Sequence, residues 1–493
     1  MAGTLIRKDA WKMPKWDPIL LWYAKGIGEM QRRSLAEPTS WRYQAAIHGY
    51  DRDGDPLRDD DNDILPSDND QRDFWSQCQH GSWYFLPWHR MYLGLFEQMV
   101  RAEVVHLGGP ADWTLPYWNY SDPQHTERRA LPAAFLEPNL PDGQPNPLFI
   151  IAGTPGGTPV LRGTLASSGR QVAGDPEVSV TCLKQPYFDA DPIGGSKGFG
   201  GGKTIAQHRG GSPGELEKTP HGDMHDAVDG WMSTFETAAL DSIFWLHHAN
   251  IDRLWTVWTN RDSKDVDPPD SDWLTKISFQ FNQPGGGIVI MTPSQVMDSR
   301  TSPFAYDYED TADPLAPPAQ HPGHLESPMR RRPMDRPIPE MVGATEKPLT
   351  LTGGTHAAAF KIGSPSGPAV LGVEPGAAPR RTFLNLENVT GKGALTGYRV
   401  YVNLPEGADP EKHMDLCVGT LPMFGVAEAS IVSKDHPGTG LSFSFDISET
   451  VAALSKHDAW NAEDVHVTLV AKNSAERKSH SPVQIGRISL YYA

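Results

Sequence analysis

Cysteine is scarce. The chain of 493 residues has three, Cys78, Cys182 and Cys417, widely separated and none in a Cys-x-x-Cys pair. A disulfide framework is therefore excluded. Positive charge is the minority sign: 44 Lys and Arg stand against 61 Asp and Glu, for a net charge of −17. Nucleic acid and anionic membranes are not expected as partners. No apolar run approaches the roughly 20 residues that span a bilayer. The start, Met1-Ala-Gly-Thr-Leu-Ile-Arg-Lys-Asp, lacks the apolar stretch of a secretory signal, so a cytoplasmic location is the default expectation. No internal repeat is visible. The glycine run from Gly194 to Gly202 has neither the spacing nor the Lys-Ser/Thr of a phosphate loop, and reads as a flexible surface loop.

What remains is a globular composition, with 38% hydrophobic and 21% charged residues, and length enough for two to four domains at roughly 150 residues each. Residues 1–310 read as a mainly α domain, a four-helix bundle with long loops. Asp17-Pro18 opens one amphipathic helix and Pro87 another, with apolar spacing running on to Val100. The stretch 138–215, dense in Gly and Pro, reads as a long surface excursion. Residues 311–345 form a Pro- and Arg-rich linker carrying Arg330-Arg331-Arg332. Residues 346–493 alternate with period two around 384–389, 398–404, 442–447 and 465–470, which predicts an all-β sandwich.

The 18 histidines carry the chemistry. In His221-Gly-Asp-Met-His225 two imidazoles four apart share a helix face and can meet one metal ion. A third comes from the adjacent pair His247-His248. Helical neighbours point about 100° apart, so one of the two faces the metal. His248 shares its face with Phe244, Ile251 and Trp255 and is the better ligand; His247 is expected to pack behind it. Asp252-Arg253, one turn on, can anchor the helix. The N-terminal half offers His48, His80 and His89. Two all-imidazole trios suit Cu, Zn, Fe or Ni, and the absence of carboxylates at ligand spacing disfavours Mg, Ca and di-iron. Single histidines such as His106, His125 and His208 read instead as packed core residues.

Three segments resemble the tyrosinase and polyphenol oxidase family of type-3 dicopper proteins, which includes molluscan haemocyanins. They are Cys78-Gln-His80-Gly-Ser-Trp-Tyr-Phe-Leu-Pro-Trp-His89-Arg90, Pro220-His221-Gly-Asp-Met-His225, and Asp241-Ser-Ile-Phe-Trp-Leu-His247-His248-Ala-Asn-Ile-Asp252-Arg253. The resemblance implies two copper ions, the first on His48, His80 and His89, the second on His221, His225 and His248, with O2 as co-substrate and small phenols as substrates. It implies a thioether between Cys78 and His80. Tyr306-Asp-Tyr308 resembles the Tyr-x-Tyr motif that closes the catalytic domain, with Arg7 packed against it.

Further roles follow from the resemblance alone. Glu217, four residues before His221, takes the place of a Glu that helps deprotonate phenols. Phe235 matches an aromatic gate above the second copper. Gly222 stands where strong monophenolases carry Asn, and Asp226 is a candidate guide for basic substrates. The C-terminal domain resembles a lid that keeps the enzyme latent, with Met423 or Phe424 as its plug and Arg330–Arg332 as a cleavage point. The expected activity is hydroxylation of monophenols and oxidation of o-diphenols to o-quinones. A catechol oxidase without hydroxylation and a haemocyanin-like oxygen carrier are the alternatives. A homo-oligomer is left open.

Overall fold

A computed structural model of the chain describes residues 4–59, 62–150, 162, 164–206, 210–261, 266–316, 338–363, 381–393, 395–432, 437–472 and 481–493. Among them are ten α-helices: α1 (Pro18–Gln31), α2 (Trp41–His48), α3 (Asp68–Phe74), α4 (Phe85–His106), α5 (Thr164–Ser167), α6 (Asp223–Val228), α7 (Phe235–Ala238), α8 (Ser242–Arg261), α9 (Val426–Ala429) and α10 (Ser448–Lys456). No described helix is long and apolar enough to cross a membrane.

The bundle is built on α1, α2, α4 and α8. Asp17 caps α1 by accepting from the Ile19 N–H, and Ser40 caps α2 by accepting from Tyr43 N–H. Helix α4 begins two residues before Pro87, whose missing N–H costs nothing in a first turn. Almost every residue of α4 from Phe85 to Val100, and all of α8 from Ser242 to Trp258, is buried. A helix apolar on every side belongs inside the core.

One polar cluster clamps these two helices. Asp252 on α8 lies 2.5 Å from Arg90 on α4, and accepts from the hydroxyls of Tyr306 at 2.6 Å and Tyr308 at 2.5 Å. Arg7 lies over the Tyr306 ring at 3.6 Å and bonds Glu97 at 2.7 Å. The short strands β1 (Leu5–Arg7) and β4 (Tyr306–Tyr308) pair in parallel and bring these groups together. Arg90 adjoins His89, and Asp252 follows His248 by one turn, so the clamp sets the spacing of both histidines.

The stretch 138–215 differs from expectation. Its described residues carry the short helix α5 and one 3-10 turn, Thr181–Lys184, and the glycine run is largely buried rather than on the surface. Phe199 lies on Trp258 with centroids 4.5 Å apart, and a Cβ on Gly200 would sit 2.3 Å from the Phe188 ring. The glycines are there because backbone packs directly on aromatic rings. His106 and His125 are exposed, not core residues, and His208 lies outside the described residues.

A hairpin of β2 (Phe279–Asn282) and β3 (Ile288–Met291) completes the first domain. The second is an antiparallel sandwich. One sheet runs β10 (Cys417–Leu421), β9 (Tyr398–Val402), β12 (Val465–Ala471), β7 (Thr355–Phe360). The other runs β11 (Leu441–Asp446), β8 (Thr382–Gly391), β13 (Val483–Tyr492), β5 (Glu340–Ala344), with β6 (Leu349–Leu351) also on β13. Leu384 and Ile485 of one sheet share a core with Val400 and Leu469 of the other. Strand β5 already belongs to this domain, ahead of residue 346. Arg330–Arg332 lie outside the described residues.

Candidate metal centre

The expected ligands come from five places along the chain. His48 ends α2, His80 lies in the loop before α4, and His89 sits one turn into α4. His221 lies in a π-helical turn, Glu217–Gly222, that runs on into α6 with His225, and His248 lies on α8. All six are buried and form one continuous cluster. His80 and His89 are 5.0 Å apart between ring centroids, His221 and His225 4.6 Å, and His89 and His248 4.5 Å across the middle.

Backbone carbonyls choose the tautomers. Nδ1 of His48 faces the Phe235 carbonyl at 2.8 Å, His89 that of Phe85 at 2.8 Å, His221 that of Glu217 at 3.0 Å, and His225 that of Met232 at 2.6 Å. A carbonyl only accepts, so Nδ1 holds the proton and Nε2 presents its lone pair. Burial first, then neighbouring imidazoles, drive the pKa of His80, His89, His221, His225 and His248 well below the usual value. They are neutral donors.

His247 is closer to the centre than a packing role requires. Its Nδ1 is 2.9 Å from the Tyr120 hydroxyl, and its nitrogens fall within 4.8 Å of those of His221, His225 and His248. His248 also groups with His48 and His89, so it alone of the pair reaches both halves of the cluster. Cys78 is buried beside His48 and His80.

Phe235 is not over the second trio. Its ring stacks on His80 at 4.2 Å and meets His48 edge-on at 5.7 Å, both in the first. The Phe235 carbonyl bonds His48, and a Cβ on Gly49 would come within 2.4 Å of it, which fixes α7 against α2.

Phe424 occupies the second trio's face instead. It reaches from the sandwich, just before α9, and lies on His225 with centroids 3.7 Å apart and planes 11° from parallel. It joins the catalytic domain's core, whereas Met423 packs in the sandwich core. A residual space of about 10 Å³ remains among His80, Glu217, His221, Phe235 and Phe443, the lower limit for one water.

Glu217 is buried at this space. Its Oε1 accepts from the Gly81 N–H at 2.7 Å, while Oε2 has no hydrogen-bond partner among the described residues. Burial pushes its pKa up to about 8, against the pull of backbone N–H groups at Gly81 and Gly214. Asp226 does not face a substrate channel in this state: its Oδ2 accepts from the Met423 N–H at 2.7 Å. A Cβ on Gly222 would lie 3.2 Å from Pro422.

Residues 38–261 match the common central domain of tyrosinase, and residues 338–493 match a domain of unknown function, DUF7868. Over 489 residues the chain is 34% identical to Tyrosinase HcTyr1 of Hahella sp. (strain CCB-MM4), spanning 96% of this chain and 97% of that one. The chain belongs to the tyrosinase family. It is 28% identical to the chloroplastic Polyphenol oxidase A1 of Vicia faba over 261 residues, 48% of this chain and 38% of that protein. The fold matches latent apple tyrosinase with a TM-score of 0.59 at 22% identity, covering 100% of this chain and 98% of that one.

The tyrosinase family is dicopper, and the donors present fit such a pair. Buried Nε2 atoms of His89 and His221, and both ring nitrogens of His80, have no hydrogen-bond partner among the described residues. Orphaned neutral nitrogens at this density are costly unless a metal takes them. Sequence reasoning missed two features. The contact of Gly222 with Pro422 spans domains, so no local pattern signals it. Asp223, between the two histidines of the second-site motif, is buried and bonded across the domain interface.

Proposed function

We propose that this copper-dependent phenol oxidase hydroxylates monophenols and oxidises o-diphenols to o-quinones, and that its C-terminal domain holds it latent. His48, His80 and His89 would hold one copper and His221, His225 and His248 the other, with His248 preferred to His247 because it also groups with His48 and His89. When bound, the copper pair supplies the binding of O2 and the two-electron exchange with the phenol.

The remaining work falls to the chain. Phe235 walls the first trio with an apolar face on which a phenol ring can stack. Glu217 Oε2, unpartnered and with a raised proton affinity, takes the phenolic proton at near-neutral pH. The buried aromatic shell excludes water from the reactive face.

The stacking of Phe424 on His225 carries the latent reading: the plug ring fills the place a substrate ring needs. The packing of Gly222 on Pro422 bears on the catechol-oxidase alternative. It supplies a reason for glycine that is independent of hydroxylation, since an Asn would press on the lid. A thioether between Cys78 and His80 is supported by their neighbourhood, with Sγ within 4.8 Å of a His80 ring nitrogen.

The test is incubation of the copper-loaded full chain with tyrosine and with a catechol, before and after limited proteolysis near residue 330. Activity on both substrates that rises on cleavage supports the proposal. Activity on catechol alone selects the alternative, and reversible O2 binding without turnover selects an oxygen carrier.

A further inference from the structure

Asp223 lies at the start of α6, flanked by His221 and His225, and is fully buried. Its Oδ2 accepts from Thr219 Oγ1 at 2.8 Å and from the Thr420 hydroxyl. Its Oδ1 lies 3.2 Å from Nζ of Lys472. Thr219 precedes the first histidine of the motif, so the carboxylate ties the chain on both sides of His221. The other two partners belong to the sandwich: Thr420 on β10 and Lys472 just after β12. Lys472 also reaches Glu177, 3.5 Å away, and donates its backbone N–H to the Gly397 carbonyl at 2.9 Å. The backbone of Lys472 is therefore held by the sandwich, while both carboxylates against its ammonium, Asp223 and Glu177, belong to the catalytic domain.

A buried carboxylate is tolerated when a cation and hydrogen bonds compensate it, and removing the cation leaves a strongly unfavourable charge. The catalytic domain offers Asp223 one hydroxyl, that of Thr219. Among the described residues its cationic partner is Lys472. We infer that Lys472 is a positioning residue of the second copper site: through Asp223 it fixes the His221–His225 segment, so that the docked C-terminal domain is part of that site's scaffold as well as its cover. This rests on His221, His225 and His248 holding the second copper. Groups that orient ligands from behind typically change metal affinity 10–100-fold. Release of the domain then exposes the centre and loosens its second metal in one event.

The test counts copper per chain in the full-length protein after dialysis against graded EDTA. Wild type and Lys472→Arg, which keeps the cation, are expected to hold two ions. Lys472→Met is expected to give up one of them at EDTA concentrations about 10–100-fold lower. In a His89→Ala background, which leaves the second site alone, the same change is expected to release the one remaining ion. Phe424→Ala, which removes the plug but not the Asp223 contacts, is expected to keep both. Thr420→Val, which retains the cation, gives a smaller shift in the same direction and serves if Lys472→Met does not fold. Two ions held by Lys472→Met and by Thr420→Val at wild-type EDTA concentrations would overturn the inference alone. A wild type that never exceeds one ion would overturn the ligand reading beneath it.

Discussion

The ring of Phe424 lies flat on the imidazole of His225, 3.7 Å between centroids, although the two residues belong to different domains. A stacked aromatic pair contributes about 0.5–1.5 kcal/mol beyond the area it buries. Phe424→Ala should therefore raise catechol oxidation by the uncleaved chain by about tenfold, read as O2 uptake without protease. Met423→Leu, a near-isosteric change within the sandwich core, should leave the uncleaved rate close to wild type. Equal rates for Phe424→Ala and wild type would remove Phe424 as the plug.

Glu217→Gln keeps the shape of the side chain and the bond from Gly81, but takes away a proton acceptor at Oε2. General-base contributions of about 10²–10⁴ in rate are typical. Monophenol turnover should fall by at least the lower figure and catechol turnover by much less, compared as kcat on the proteolysed enzyme. Parallel losses on both substrates would reject the proton-handling role.

The neighbours His247 and His248 should separate cleanly. His248→Ala is expected to bind at most one copper and to stop O2 uptake, because His248 groups with both halves of the cluster. His247→Ala is expected to keep two ions, since His247 does not group with His48 and His89 of the first half. Copper analysis of the two purified variants decides it, and the reverse pattern would exchange their roles.

Asp252 offers a pH test of the scaffold. Burial pushes its pKa up, but Arg90, Arg7 and the hydroxyls of Tyr306 and Tyr308 outweigh this and hold it below the ordinary carboxylate value. A depressed folded pKa gives stability that is present above the unfolded value of about 3.9 and lost as pH falls through the folded one. Asp252→Asn should cost about 3–5 kcal/mol at neutral pH, because Arg90 is left buried without its counter-charge. Thermal unfolding of the apoprotein against pH should show a weaker acid slope in the variant.

The thioether has a mass signature. Formation of a bond between the Cys78 sulfur and a His80 ring carbon removes two hydrogens, about 2 Da, from the denatured, copper-stripped chain. The full reduced mass would show that no such bond forms.

Much of this protein was legible along the chain because helices and strands impose short periods. The capped start at Asp17-Pro18, the face of α8 that His248 shares with Phe244, Ile251 and Trp255, and the alternation in β8, β9, β11 and β12 follow from spacing alone. The histidine motifs are local too: four residues apart on a helix place two imidazoles on one face. Local patterns failed where packing between distant segments decides. The glycines from Gly194 to Gly202 read as a loose loop, yet they are small because Phe188 and Trp258 lie against that backbone.

Phe235 took its place over His80 because α7 is pinned to α2 through the His48 bond, a contact between residues 187 positions apart. The sequence by itself determined which side chains can offer neutral nitrogens and on which elements they ride. Only the tertiary structure decided that Phe424, rather than Met423, faces them, and that Asp223 and Asp226 turn to the C-terminal sandwich. The physical reason is that a buried carboxylate and an apolar ring each need a partner, and here the partners come from the other domain.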